Sequence, residues 1–151
     1  MDDLLTALSG LIGLAYKAGK ALPGEEPTAT AAAGHKARLI LLASDAAGNT
    51  AEKAGRLGER GNSPVVQLPL TKAQLGGAVG RSTCAVLALT DVGLASALMK
   101  KLSAADPQAY GEVARKLEGK ADKAQRRKKE QRAKERANRR PWVAPPKKEG
   151  S

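Results

Sequence analysis

The stretch Ala37–Thr50, A-R-L-I-L-L-A-S-D-A-A-G-N-T, decides the fold. Leu39, Ile40, Leu41 and Leu42 form an apolar run with no charge inside it. The run is too short for a free-standing buried helix and has polar residues at both ends, the pattern of a strand buried on both faces. Leucine is an indifferent strand former, so length and flanks carry the assignment. Ser44 and Asp45 then turn the chain. Asn49 or Thr50 is expected to cap the next helix, its side-chain oxygen accepting from an amide left free in the first turn. The unit is strand, short loop, capped helix. It recurs at Cys84–Leu89, a second apolar run, where Thr90 and Asp91 precede another helical stretch.

Working outward, Leu4, Leu5, Leu8, Leu11, Ile12 and Ala15 fall on one face of a helix over Asp3–Ala18, with Gly19 as its stop. Ala21–Leu22 reads as a short strand and Pro23-Gly24 as a turn. Glu25, Glu26 and Pro27 suit the opening of a helix over Glu25–Ala33, since acidic groups and proline both fit a first turn. After the buried strand Arg38–Ala43 come a helix over Asn49–Arg60 and a strand over Pro64–Leu68. Thr71 is placed to cap a helix over Lys72–Val79, and a helix over Asp91–Leu102 follows the second apolar strand. Helices and strands alternate with short connections. That pattern predicts an α/β fold, a three-layer α/β/α sandwich on a small four-stranded, mostly parallel sheet.

The composition shifts at Asp106-Pro107. Residues 1–110 carry 11 Lys and Arg against 9 Asp and Glu, whereas residues 111–151 carry 15 against 6. A near-neutral globular part therefore bears a basic extension. The expected units are a domain at 1–104, a basic helical extension at 105–140 and a disordered tail at 141–151. Val113 and Leu117 are the extension's last large apolar residues before Trp142, so beyond Leu117 a charged helix without tertiary support is expected. The charge asymmetry points to nucleic acid or another polyanion as partner. Aromatics are confined to Tyr16, Tyr110 and Trp142, which argues against a sheet that stacks bases on rings. A single cysteine rules out an internal disulfide, no apolar run reaches membrane-span length, and the N-terminus is acidic. A cytoplasmic protein with no membrane partner is expected.

The order of these segments resembles the kink-turn RNA-binding ribosomal proteins, the L-seven-Ae / L-thirty-e superfamily, and among them the small bacterial ribosome-associated type. The resemblance rests on L-T-A-L-S-G-L-I-G-L-A-Y-K-A-G-K at Leu5–Lys20, G-E-E at Gly24–Glu26, A-R-L-I-L-L-A-S-D at Ala37–Asp45, N-T at Asn49–Thr50 and T-K-A-Q-L-G at Thr71–Gly76. It covers about residues 3–102 and leaves the basic extension outside. It implies a non-catalytic RNA-binding domain without cofactor, metal or small-molecule substrate. The partner it implies is structured ribosomal RNA, with ribosomal proteins as further neighbours and a role in translation.

Carried over by position, the resemblance places RNA against Gly24, Glu25, Glu26, Thr28 and Thr30, and against the loop Leu70–Leu75 with Thr71 and Lys72. Gly24 would let backbone approach RNA, and free helix-start amides would hold a phosphate. The family's strong readers carry Asn and Lys where this chain has Glu26 and Thr30. A carboxylate accepts only and repels phosphate. Lys17, Lys20, Lys36 and Arg38 read either as a basic rim near Gly24 or as solubilising charge. In the extension, Arg126, Arg127, Lys128, Lys129 and Arg132, then Arg139 and Arg140, are expected to contact phosphates with little sequence reading. The alternative to RNA binding is a protein-binding scaffold that docks on a ribosome or polymerase through its tail.

Other residues read more simply as structure. Gly76-Gly77-x-x-Gly80 lacks the Lys-Ser/Thr ending of a phosphate loop, so close packing explains it. His35 has no catalytic partner, Cys84 suits a core, and Asp45 and Asp91 suit helix capping. Trp142 either stacks on a partner or stands unanchored.

Overall fold

The structure is a computed structural model that describes residues 2–139. Its elements are α1 (Asp2–Lys17), β1 (Ala21–Pro23), α2 (Glu25–Ala33), β2 (Leu39–Leu42), α3 (Gly48–Gly61), β3 (Val65–Gln67), α4 (Lys72–Ala78), β4 (Val86–Leu89), α5 (Val92–Ala105) and α6 (Pro107–Arg139). The four strands form one sheet in the order β1-β4-β2-β3. Leu39 and Leu41 of β2, with Leu87 and Leu89 of β4, enter the larger core under α1, α4, α5 and the start of α6. Ile40 and Leu42, with Val86 and Ala88, enter a smaller core against α2 and α3. The period-two alternation of strand side chains thus splits each apolar run between two layers of helices. The α2–α3 side is lean: Ala31, Ala37 and Ala54 supply much of its packing.

The sheet is not mostly parallel in its pairings. Only β2–β3 is parallel, while β4 runs antiparallel to both β1 and β2. The reason lies in the β3–β4 connection. The Lys72 amide donates to Asp45 Oδ1 at 2.7 Å and the Ser44 amide to the Leu70 carbonyl at 2.7 Å, which holds the start of α4 beside the end of β2. The loop after α4 then folds back on the helix. A Cβ at Gly76 would stand 2.7 Å from Thr83 Cα, so only glycine admits that approach. The chain therefore enters β4 from the same end of the sheet at which it left β3. Alternation of helices and strands sets the layers but leaves strand sense open.

Local signals account for most element ends. Thr71 and Gln74 form a reciprocal capping box at the start of α4, with Gln74 N donating to Thr71 Oγ1 at 3.2 Å and Thr71 N to Gln74 Oε1 at 2.9 Å. Asp91 caps α5 by accepting from Leu94 N at 2.9 Å. The expected cap of α3 by Asn49 or Thr50 is not formed. That helix starts at Gly48 behind Ala47, without a side-chain cap, and Thr50 Oγ1 donates instead to Glu25 Oε2 at 3.4 Å. Asp45 is a cap, but for α4 rather than for the helix that follows it.

α5 and α6 form a helical hairpin. The first turns of α6 belong to the larger core: Leu117 is 1% exposed, Ala114 is buried, and Tyr110 Oη donates to the Gln67 carbonyl at 2.9 Å. With 33 residues α6 is about 50 Å long, against about 21 Å for the 14 residues of α5. Its C-terminal half runs on past the domain. The residues 141–151 expected to be a disordered tail, with Trp142, lie outside the described residues, as does Arg140.

Candidate nucleic-acid interface

Each strand end faces one of two poles. The C-terminal ends of β1, β2 and β3 meet the N-terminal end of β4 at what we call the loop pole. Gly24, the start of α2, Ser44-Asp45, Leu70–Lys72 and the loop Arg81–Thr83 all gather there. Three backbone bonds fix their mutual placement. The Gly24 amide donates to the Val86 carbonyl at 2.9 Å, the Cys84 amide to the Lys72 carbonyl at 2.9 Å, and the Ala43 amide to the Ala85 carbonyl at 2.9 Å. The two stretches carried over from the family resemblance, 24–30 and 70–75, are thereby brought to one end of the sheet.

Gly24 has φ 106° and ψ 160°, a conformation essentially closed to other residues. It caps the N-terminus of α2 with no side chain of its own. The Arg81 guanidinium lies over it: a Cβ built on Gly24 would be 3.7 Å from Arg81 Nη1. Lys72 is partly exposed at the first position of α4 and Arg81 is exposed, so two cations stand at the loop pole, Arg81 beside the turn itself. Beneath them Cys84 is buried, and burial pushes its thiol above the usual value, opposed by hydrogen bonding to the Gly24 and Val86 backbone and by the Arg81 charge. The thiol donates to the Val86 carbonyl at 3.2 Å and serves as packing.

The acidic pair is turned away from these cations. Glu25 and Glu26 line a cleft of about 310 Å³ between α2 and α3, opposite Lys53, Arg56 and Arg60. Glu25 Oε1 pairs with Lys53 Nζ at 3.4 Å and its other oxygen accepts from Thr50. Thr28 is completely buried and its hydroxyl is directed at the Leu22 carbonyl at 3.5 Å, so its side chain supports the turn from beneath and does not present to a ligand. Thr71 spends its hydroxyl on the capping box, while Thr30 is exposed farther along α2.

Lys20 and Lys36 do not stand near Gly24. Both precede strands whose far ends make the loop pole, so they sit at the opposite pole, one strand length or about 10 Å away. The Thr90 amide donates to the Lys20 carbonyl at 2.8 Å and the Arg38 amide to the Leu89 carbonyl at 2.7 Å, which ties Lys20 and Arg38 to the C-terminal end of β4, while the Lys36 amide donates to the Ala31 carbonyl at 2.8 Å at the end of α2. That geometry sets Lys20 and Lys36 at the other end of the sheet from the Gly24 turn. Arg126, Arg127, Lys128, Lys129 and Arg132 are exposed on the projecting half of α6, and Arg139 is its last described residue. The candidates thus divide among the loop pole, the opposite pole and α6.

Arg81 was not singled out in the sequence. Its signal was a lone cation in a Gly80-Arg81-Ser82-Thr83 turn just ahead of an apolar strand, a pattern with no spacing rule to mark it.

No protein-family model matches the chain. The chain is 34% identical over 92 residues to the RNA-binding protein YlxQ of Bacillus subtilis (strain 168), a match that spans 61% of this chain and 91% of that protein. Among solved structures it is similar to a protein of unknown function from Bacillus halodurans C, with a TM-score of 0.59 and 28% identity over 64% of this chain and 96% of that one. Among the described residues no helix is long and apolar enough to cross a membrane.

Proposed function

The chain belongs to the RNA-binding, ribosomal-protein-like family of its Bacillus subtilis relative, and from that premise we propose that it binds structured RNA at the loop pole and catalyses no reaction. The observation that carries this reading is the joint placement of the Gly24 turn, the start of α4 and the Arg81 guanidinium at one end of the sheet. A turn without a side chain lets an RNA backbone come close, while Lys72 and Arg81 supply the charge for its phosphates. The RNA is a kinked helix of ribosomal RNA, and the protein acts in the cytoplasm as a ribosome-associated accessory of translation. Glu25 and Glu26 suit that role better than their charge suggests, because both line the α2–α3 cleft and Glu25 is matched by Lys53. The basic half of α6 adds phosphate affinity that reads no sequence.

The test is binding of a kink-turn RNA by the full chain and by a Lys72→Gln/Arg81→Gln variant at several salt concentrations. Loss of two phosphate contacts lowers the salt slope by about 1.8, at about 0.9 per phosphate on a duplex. Preference for the kinked RNA over a straight duplex of equal length should fall with it. An unchanged slope and an unchanged preference would place the RNA elsewhere on the protein.

A further inference from the structure

The pole opposite the loop pole carries a second concentration of positive charge, built from two parts of the chain far apart in sequence. α6 starts on the loop-pole side, where Tyr110 bonds to Gln67, and runs back along α5 to reach this pole beside Val92. Lys116, Lys120, Lys123 and Arg127 recur there at intervals of four, three and four residues, which puts them on one face of the helix. They span about 16 Å along its axis. Arg38, at the entrance to β2, faces the last three: it shares one concavity of about 270 Å³ with Lys120, Lys123 and Arg127. A neighbouring hollow of about 360 Å³ joins Lys116 and Lys120 to the α3–β3 turn at Asn62–Pro64. The two share Lys120, and with a third hollow between them, lined by Arg38, Asn62 and Lys120, they make a groove along α6. Glu59 is the acidic residue lining it, at the end near Lys116.

None of the five cations makes an ion pair among the described residues, where the pairs formed are Lys53–Glu25 and Lys100–Glu118. All five are exposed. Glu59 apart, no carboxylate of the groove stands against their charge. The groove is also held in place. Leu117, between Lys116 and Lys120, is seated in the core, and Arg38 is fixed through its amide to Leu89. No Phe, Tyr or Trp lines it. A single-stranded ligand would call for rings on which bases stack, whereas a duplex offers its phosphates to cations alone.

We propose that Arg38, Lys116, Lys120, Lys123 and Arg127 form a second RNA site that grips the phosphate backbone of a double helix without reading its sequence. This rests on RNA being the ligand of the family, and it adds a second point of attachment. Because the two sites occupy opposite poles of the sheet, one protein molecule holds two RNA segments at once. The projecting half of α6, with Lys128, Lys129 and Arg132, extends the same grip along the duplex.

The experiment uses the full chain, a groove variant (Arg38→Gln, Lys120→Gln, Lys123→Gln, Arg127→Gln) and the loop-pole variant (Lys72→Gln, Arg81→Gln). The probes are an unkinked RNA duplex and a kink-turn RNA. Four lost phosphate contacts lower the salt slope for the plain duplex by about 3.6. Between 50 and 200 mM salt the unaltered chain then loses roughly 10²-fold more affinity than the groove variant does. The loop-pole variant keeps the plain duplex. Unaltered protein captured on an immobilised kink-turn RNA picks up a labelled duplex, and the groove variant so captured does not. An Arg38→Lys/Arg127→Lys variant, which keeps the charge, retains the pick-up and shows that lost charge rather than lost fold is being read. A groove variant with the parental slope and pick-up overturns the proposal. So does displacement of the duplex by polyglutamate at equal charge, which would mark the groove as a site for acidic protein. Binding of the kink-turn RNA alone sinks the second site and leaves the family reading standing; binding of neither RNA sinks both.

Discussion

Replacing Leu117 by alanine tests whether α6 is rooted in the domain or merely appended to it. The side chain is 1% exposed and belongs to the larger core, with Ala114 buried one turn earlier and Tyr110 bonded to the end of β3. Truncating a buried leucine forfeits its transfer free energy and leaves a cavity, together about 2–5 kcal/mol. With a urea dependence of about 2 kcal/mol per molar, the unfolding midpoint falls by roughly 1–2.5 M. Lys128→Ala is the matched control. It lies on the same helix beyond the reach of α5, is exposed, and changes stability by no more than about 0.5 kcal/mol. The assay is urea unfolding of both variants followed by far-UV circular dichroism. Equal midpoints for Leu117→Ala and the parent would refute the reasoning, because the helix would then have no seat and nothing would hold Lys120 and Lys123 opposite Arg38. The same burial governs truncation. A chain cut at Glu112 loses Ala114 and Leu117 from the core, whereas one cut after Lys120 keeps them and removes most of the projecting charge.

Gly24→Ala forces a side chain into φ 106° without a steric clash, since its nearest neighbours would stand at 3.5 Å or more. The expected cost is about 1–3 kcal/mol of backbone strain, read as a lower melting temperature, and a variant as stable as the parent would show that the turn relaxes freely. Stability should also fall on the alkaline side. Cys84 is raised by burial, and Tyr110 by burial and by the nearby Asp106 charge, so both hold their protons more tightly folded than unfolded. Their contribution is complete below the ordinary values of 9.0 and 10.0 and is lost as pH rises through the higher folded values. Melting temperatures recorded from pH 8 to 11 check this, and Cys84→Ala should flatten the early part of the decline.

Features coded over a few neighbouring residues were legible in the sequence. The run Leu39–Leu42 marked a strand buried on both faces, Thr71 marked the cap of α4, and Asp106-Pro107 marked the start of α6. Features that depend on strand order were not. Lys20 and Gly24 are four residues apart, yet a strand of three residues carries them to opposite poles. The reversed sense of β4 follows from Asp45 holding α4 across 27 positions and from a missing Cβ at Gly76, neither of which has a periodic signature. The candidate site shows the same division. Gly24 and Lys72 entered the candidate site through the motifs of the family resemblance. Arg81 was missed because its approach to Gly24 is made in space, and Thr28 was misplaced because a threonine in a first helical turn can face either way. The partners of Glu25, Thr50 and Lys53 lie one helix away, so its turning from the loop pole had no trace in the chain.

RNA seated at the loop pole should crosslink to the residues gathered there. The most direct measurement is ultraviolet crosslinking of the full chain to a kink-turn RNA, with the crosslinked residues located by peptide mass spectrometry. Crosslinks within Gly24–Thr30 and Leu70–Thr83, joined by others on α6, are the predicted result. Crosslinks confined to α6, with the loop pole untouched, would contradict it and would leave the folded domain as a scaffold for a basic helix.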